Sequence, residues 1–404
     1  MSYLSCLSGI NNFEEAKEKL NAKNLIVNSD YTHLGMYLVK YNHNQSDLND
    51  PDVKKCRGLI LSTEDNSVIC PVPQKSSNNT VILQNYTGNP NKYVVTDFLD
   101  GTMINYFQHK GTRYISTRSC IGAKCHWLSE KSFSEMFYEC LESTNLKLDS
   151  LNMDYCYSFL IQHPSNRIVK QYLSPRLVLT HVSRVVNGNV LFHDVHQFSK
   201  ENNLDIDVPT KYNFQSIEDM FEYIASLDSS EQGLMVFEKD EENPGYIMDL
   251  SRYKIRNMKY NQMKELKGNT NNKHYLFFNL RQLGGGSYEK YILYFEEDQE
   301  LFESYRQELY SLTAELFKMY LDCFVNKNTD GTPVQIHKEA PFELKPLIAE
   351  LHSNHIKTRN PTTKNVVIQY LHKLPIPRLL FTINKRRHRL NEHNNVITPP
   401  LEEV

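Results

Sequence analysis

The run Val94-Val95-Thr96-Asp97-Phe98-Leu99-Asp100-Gly101-Thr102-Met103 ends an apolar strand on an acidic turn. Asp-Gly after a strand is first of all a hairpin signal. Two further stretches place cations in strand-like settings. In Tyr253-Lys254-Ile255-Arg256 the cations alternate with apolar residues, so Lys254 and Arg256 share one face, which pattern alone assigns equally to solvent or to a phosphate site. Lys55-Cys56-Arg57-Gly58 puts Arg57 at the start of an apolar run, where a surface arginine fits as well as a functional one. Asn166-Arg167, following Pro164, reads as a turn that opens a strand.

Taken in order, these stretches resemble a motif series. Lys55-Cys56-Arg57-Gly58-Leu59-Ile60-Leu61 is similar to the E-C-R-G-[IL]-[MIL]-F strand of RNA ligases of the phage T4 RNA ligase 1 type. The Asp100-Gly101 run resembles the K-x-D-G-[ST] motif that follows it. Tyr157-Ser158-Phe159 with Pro164-Ser165-Asn166-Arg167-Ile168-Val169 resembles F-E-F…P-T-N-R-I-V. Gln232-Gly233-Leu234-Met235-Val236 resembles E-G-x-[VM]-[VA], and Tyr253-Lys254-Ile255-Arg256 the closing [FV]-K-I-K strand. The resemblance spans roughly residues 35 to 257 and points to the RNA ligase 1-like branch of the covalent nucleotidyltransferases.

The departures fall on the chemistry. In the family a lysine amine attacks the α-phosphate of ATP or GTP and carries the nucleotide as a phosphoramidate. Phe98 stands at that position, and Asp97 does if the alignment slips by one residue; neither is an amine. Lys92 is the nearest upstream lysine, and along a strand it would lie roughly 20 Å away. Ser158 and Gln232 replace the two glutamates that help hold the ribose and the hydrated divalent ions, which prefer charged oxygen ligands. Asp100 and Gly101 persist. So do Arg57, Arg118, Lys254 and Arg256, at positions that the resemblance makes phosphate-contacting.

The resemblance therefore implies a degenerate RNA ligase acting in RNA binding or assembly, with no catalytic residue, no metal site and no required cofactor. An active ATP-dependent RNA ligase or repair enzyme, using ATP, Mg²⁺ and a substitute nucleophile, is the alternative. A structural virion protein is a third reading.

The composition is compatible with these readings. A net charge of −3 and a pI near 6.6 confine any RNA footprint to a local patch. The 25 tyrosines and 19 phenylalanines suit a β-rich core and offer stacking surfaces for bases. Eight cysteines without a C-x-x-C pair suit reduced thiols in a cytosolic protein. Cys120, Cys125 and His126 lie close together, but no second ligand cluster completes a zinc site. With no signal peptide and no membrane-length apolar run, the expected location is the cytoplasm, that of the host if the chain is viral. Asparagine clusters such as Asn78-Asn79 suggest an AT-rich genome like that of a large DNA virus.

Short strands bounded by Asn, Gly and Pro, interrupted by a few helices, predict an α+β nucleotidyltransferase domain over residues 1 to 260, rich in antiparallel strands. Strands are expected at 35–41, 58–61, 93–96, 102–107, 114–117, 155–161, 168–172, 177–182, 190–192, 232–237 and 253–256. Helices are expected from the capping-box pattern Asn12-Phe13-Glu14-Glu15 through Leu20, at 129–141, and from Ser216, which caps with Asp219, through 227. An all-helical domain follows over 261 to 392, marked by the stripe Leu301, Tyr305, Leu309, Leu312, Leu316, Met319. Residues 393 to 404, rich in Pro and Glu, are expected to be disordered. Gly284-Gly285-Gly286 lacks the G-K-[ST] ending of a phosphate loop and reads as a joint. The basic run Lys385 to Arg389 has three open uses: complementing a helix dipole, contacting nucleic acid, or remaining solvated.

Overall fold

The computed structural model describes residues 2–77, 86, 88–243 and 245–397. Asn78, Asn79 and residues 398–404 lie outside the described residues. The chain divides into two compact units, Met1–Lys264 and Glu265–Val404.

Unit 1 is α+β, as the strand and turn pattern predicts. It begins with α1 (Phe13–Ala22), whose first turn is fixed by Asn12: its Oδ1 accepts the Glu14 N–H at 2.8 Å. A four-stranded antiparallel sheet follows, in the order β1 (Leu25–Asn28), β2 (Met36–Tyr41), β3 (Arg57–Ser62), β4 (Val68–Cys70). The short helix α2 (Pro51–Lys55) precedes β3.

The second sheet has nine strands and supplies the rest of unit 1. In chain order they are β5 (Tyr93–Asp97), β6 (Thr102–His109), β7 (Thr112–Ser116), β8 (Tyr155–Gln162), β9 (Arg176–Val186), β10 (Asn189–His193), β11 (Lys211–Tyr212), β12 (Gly233–Lys239) and β13 (Tyr246–Arg256). Their spatial order is β11-β5-β12-β13-β10-β9-β8-β6-β7, antiparallel throughout. One face packs on α3 (Phe133–Glu142) through Phe133, Met136, Phe137, Phe159 and Leu179, and on α5 (Ile217–Ser226) through Met220, Ile224, Leu234 and Val236. The two sheets meet where Met36, Leu38 and Ile60 bury against Phe107 and Ile121.

Two expectations need correction. The helix expected from Ser129 starts at Phe133, because Ser132 closes a capping box with Glu135. Residues 168–172 form no strand. The Val169 and Lys170 N–H groups donate instead to the Asp100 carboxylate, at 3.0 and 2.9 Å, which removes them from any ladder.

Unit 2 is helical: α7 (Lys273–Leu283), α8 (Ser287–Tyr294), α9 (Gln299–Phe324), α10 (Lys345–Thr358), α11 (Lys364–Lys373) and α12 (Ile376–Ile397), while α6 (Met258–Lys267) spans the boundary. Of the predicted stripe on α9, Leu309, Leu312 and Leu316 are buried, Tyr305 and Met319 pack at the rim of the core, and Leu301 is exposed. The last helix continues to Ile397. Gly284 to Gly286 form the turn between α7 and α8.

The basic run on α12 is largely a clamp. Arg386, only 8% exposed, donates to Glu315 at 2.5 Å and to Ser311 at 2.7 Å. Arg389 joins Glu315 to Glu343, and Arg387 meets Glu308 on α9. Replacing Arg386 with Ala should cost about 2 kcal/mol in chemical denaturation, since Ser311 and Glu315 lose a buried partner. Lys385→Ala, at an exposed position, should stay within about 0.5 kcal/mol.

Candidate functional site

The face of the large sheet opposite α5 carries a row pattern that follows from antiparallel register. Thr96 on β5 lies beside Met235 on β12, which lies beside Lys254 on β13; one step along, Val94, Phe237 and Arg252 form a parallel row. On the other side the Phe98 N–H donates to the Gly233 carbonyl at 2.9 Å, and Gly233 pairs with Arg256. Alternation sends Val95, Leu234, Val236, Tyr253 and Ile255 into the core on α5. The cation face of Lys254 and Arg256 therefore lines a cleft of about 400 Å³ rather than open solvent.

Two glycines permit this packing. Gly58 has φ +101°, and a Cβ there would meet the Arg118 Cα at 2.7 Å; the bare backbone lets the turn carrying Arg118 reach the start of β3. Gly233 has φ +129°, and a Cβ would strike the Ile255 carbonyl at 2.1 Å. Its missing side chain lets β12 lie close against the end of β13.

The structure brings Arg57, Arg118, Lys254 and Arg256 together in this cleft. It adds three cations that sequence reasoning missed: Lys75, Arg252 and Lys264. Arg118 stacks its guanidinium 4.2 Å over the Tyr41 ring and donates to the Tyr41 carbonyl at 3.2 Å, while its Nε has no partner. The Arg256 Nε is likewise buried without a partner. Burial, and then Arg256, Lys75, Arg57 and Arg252, push the Lys254 ammonium down to about 7. Burial also lowers Arg57, Lys75 and Lys264, the last against the opposing pull of Asp100.

Phe98 packs half-buried on Val94, Met235, Phe237 and Ile247 and forms part of an apolar floor. Lys92 is engaged elsewhere, paired with Glu238 at 2.8 Å. Asp100 and Gly101 also line the cleft, but the Asp100 carboxylate is 4% exposed and turned to the Val169 and Lys170 N–H groups. Gln232 is in the wall. Ser158 is not: its buried hydroxyl donates to Asn105 Oδ1 at 2.8 Å. Asn166 and Arg167 also sit outside the lining, where Asn166 bonds Thr102 and Arg167 bonds the Val169 carbonyl.

His181 is a further residue missed by pattern reading. A bulge in β9 opposite Ser158 and Phe159 brings both Thr180 and His181 to the cleft wall. The Thr180 hydroxyl donates to the Ser158 carbonyl at 2.9 Å, so its oxygen accepts from His181 Nδ1 at 3.0 Å. This fixes the proton on Nδ1 and leaves Nε2 as a buried acceptor without a partner. Burial, Arg252 and Arg57 hold the ring well below its usual pKa, hence neutral.

The divalent ions implied by the motif resemblance do not fit the donor set. Among the described residues three carboxylates line the cleft: Asp97, Asp100 and Asp194. Asp97 accepts from the Thr210 N–H and the Tyr212 hydroxyl, and Asp194 caps α4 (Val195–Glu201). Among the described residues no group of three His, Cys, Asp or Glu side chains could hold a metal. No helix among them is long and apolar enough to cross a membrane.

No family profile matches the chain. A curated relative, "Putative bifunctional polynucleotide kinase/RNA ligase" of Autographa californica nuclear polyhedrosis virus, is 24% identical over 257 residues, 59% of this chain. The match spans 35% of that relative's length. Among solved structures, an archaeal ATP-dependent RNA ligase aligns at 13% identity with a TM-score of 0.44, covering 72% of this chain and 70% of its own. A Naegleria gruberi RNA ligase with PPi aligns at 10% identity and a TM-score of 0.34, covering 48% of this chain and 58% of its own.

The surroundings of Lys254 disfavour its charged form, so removing the amine should help the fold. Lys254→Met should raise stability by about 1 kcal/mol at pH 7, the discount reflecting its partial exposure. Because its folded pKa is depressed from 10.5 to about 7, the gain should be fullest at pH 7 and below, and fade as pH rises toward 10.5. Urea denaturation at pH 7 and pH 10 measures both.

Proposed function

Taking the chain as a member of the RNA ligase-like nucleotidyltransferases, by its ordered motifs and its viral relative, we propose that it is a catalytically degenerate member that uses its cleft to bind RNA. The observation that carries this reading is the imbalance of the lining: seven cations, Arg57, Lys75, Arg118, Arg252, Lys254, Arg256 and Lys264, against three carboxylates already engaged in the fold. Buried like charges repel one another and cost stability, and a phosphate group would relieve that cost. Phe98 offers no amine where the family's nucleophile stands, so the retained cations serve binding rather than transfer. No cofactor is required.

A second reading draws on one observation. An amine with a pKa near 7 is partly neutral at physiological pH, which makes Lys254 the strongest candidate for a substitute nucleophile in an active, ATP-dependent ligase.

RNA binding through the cleft should weaken steeply with salt, with a slope of about −0.7 per phosphate contact on single strands. Lys254→Gln combined with Arg256→Gln should lower affinity and flatten that slope by roughly one unit or a little more. Lys385→Gln, on the helix of the internal clamp, should leave both unchanged. Fluorescence anisotropy with a labelled single-stranded RNA over a salt series reads this. An unchanged slope in the double variant would place RNA elsewhere.

A further inference from the structure

The cleft differs from a metal-assisted phosphate site in where its positive charge resides. Positions that the motif resemblance assigns to metal-supporting glutamates carry Gln232, which is neutral, and Ser158, whose hydroxyl is turned to Asn105. Every remaining carboxylate in the lining already accepts hydrogen bonds from the fold. Asp97 accepts at 2.7 Å from the Tyr212 hydroxyl and at 3.1 Å from the Thr210 N–H. Asp100 accepts from two N–H groups, and Asp194 accepts from the His196 N–H at 3.0 Å with Lys211 at 3.6 Å. A divalent ion entering here would meet cations and find no free anionic ligand.

The same cations do the neutralising that such ions otherwise perform. Lys75, Lys254, Arg256 and Lys264 line one cleft with Arg57 and Arg118, and two of these arginines keep an Nε buried without a partner. We propose that the cleft binds a nucleoside polyphosphate as its metal-free anion, and that chelation of the polyphosphate by Mg²⁺ weakens binding. This rests on the reading of the cleft as a phosphate site. His181 specifies a nucleoside rather than a bare polyphosphate. Its Nε2 is an acceptor, 93% of the residue is withdrawn from solvent (7% exposed), and only an O–H or N–H donor, such as a ribose hydroxyl or an exocyclic amine, would satisfy it. Phosphate oxygens supply no such donor. The apolar floor of Phe98, Val94, Met235 and Phe237 gives a base a surface to rest on.

Calorimetric titration of the full chain with ATP, at constant ionic strength, tests this in EDTA and again in excess Mg²⁺. ATP in EDTA should bind at least about tenfold more tightly than its magnesium complex, a modest return for relieving repulsion among like charges that line one cleft. Gln232→Glu, which restores a carboxylate at nearly constant shape, should narrow that gap. Inorganic tripolyphosphate in EDTA should bind more weakly than ATP, and His181→Phe should reduce ATP binding while leaving tripolyphosphate unaffected. A triphosphate-ended RNA that competes better than ATP, with a hydroxyl-ended RNA as control, would identify the source of the anion as an RNA end. Equal or tighter binding of the magnesium complex would overturn the proposal, and equal binding of tripolyphosphate and ATP would overturn its nucleoside part. Failure of ATP to bind in either buffer would also overturn it, while the RNA reading would still be judged by its own salt series.

Discussion

Repulsion among a small set of desolvated cations is the constraint around which unit 1 is arranged. Arg252, Lys254 and Arg256 project from alternate positions of one strand, Arg57 and Arg118 approach from the smaller sheet and its neighbouring turn, and Lys75 and Lys264 complete the set. Among the described residues three carboxylates line the cleft beside them, and each accepts hydrogen bonds from the fold. A fold tolerates such an arrangement only if its remaining packing over-determines it. Here the sheet supplies the surplus: Val95, Leu234, Val236, Tyr253 and Ile255, on the opposite face of the same strands, are all buried against α5. Stability held in the core thus offsets the cost of bringing these cations together.

Asp100 plays a structural part in the same cleft. Its carboxylate ties down the segment from Val169, and its carbonyl accepts from Gln162 and Tyr172 at 2.9 and 3.0 Å. Gly101 is held equally closely, since a Cβ there would lie 2.5 Å from the Ile161 carbonyl. These residues keep the shape of the cleft without requiring that chemistry take place in it. Packing alone thereby accounts for Asp100 and Gly101 at this turn.

Much of this was legible in the sequence, and the reasons are local. Alternation marked β13 and put Lys254 and Arg256 on one face, and the capping signals of Asn12 and Ser216 marked α1 and α5, whereas the Ser132 cap of α3 went unread. Arg252 extends the same alternation and was available to the same reading. Lys75 in a coil, Lys264 on a helix and His181 beside a bulge carry no periodic signal, and only tertiary packing brings them to the cleft. The false strand at 168–172 failed for the same reason in reverse: a buried carboxylate distant in sequence claimed its backbone donors. The use of the basic run on α12 stayed open among three because sequence does not display the glutamates of α9 that face it.

The proposed function requires that the cleft bind through its cations and carry no nucleophile. Incubation of the full chain with α-labelled ATP or GTP and Mg²⁺ or Mn²⁺, followed by denaturing electrophoresis, addresses it most directly. The account predicts no label on the protein. A covalent adduct abolished by Lys254→Met would contradict it and make this amine the nucleophile that Phe98 does not supply.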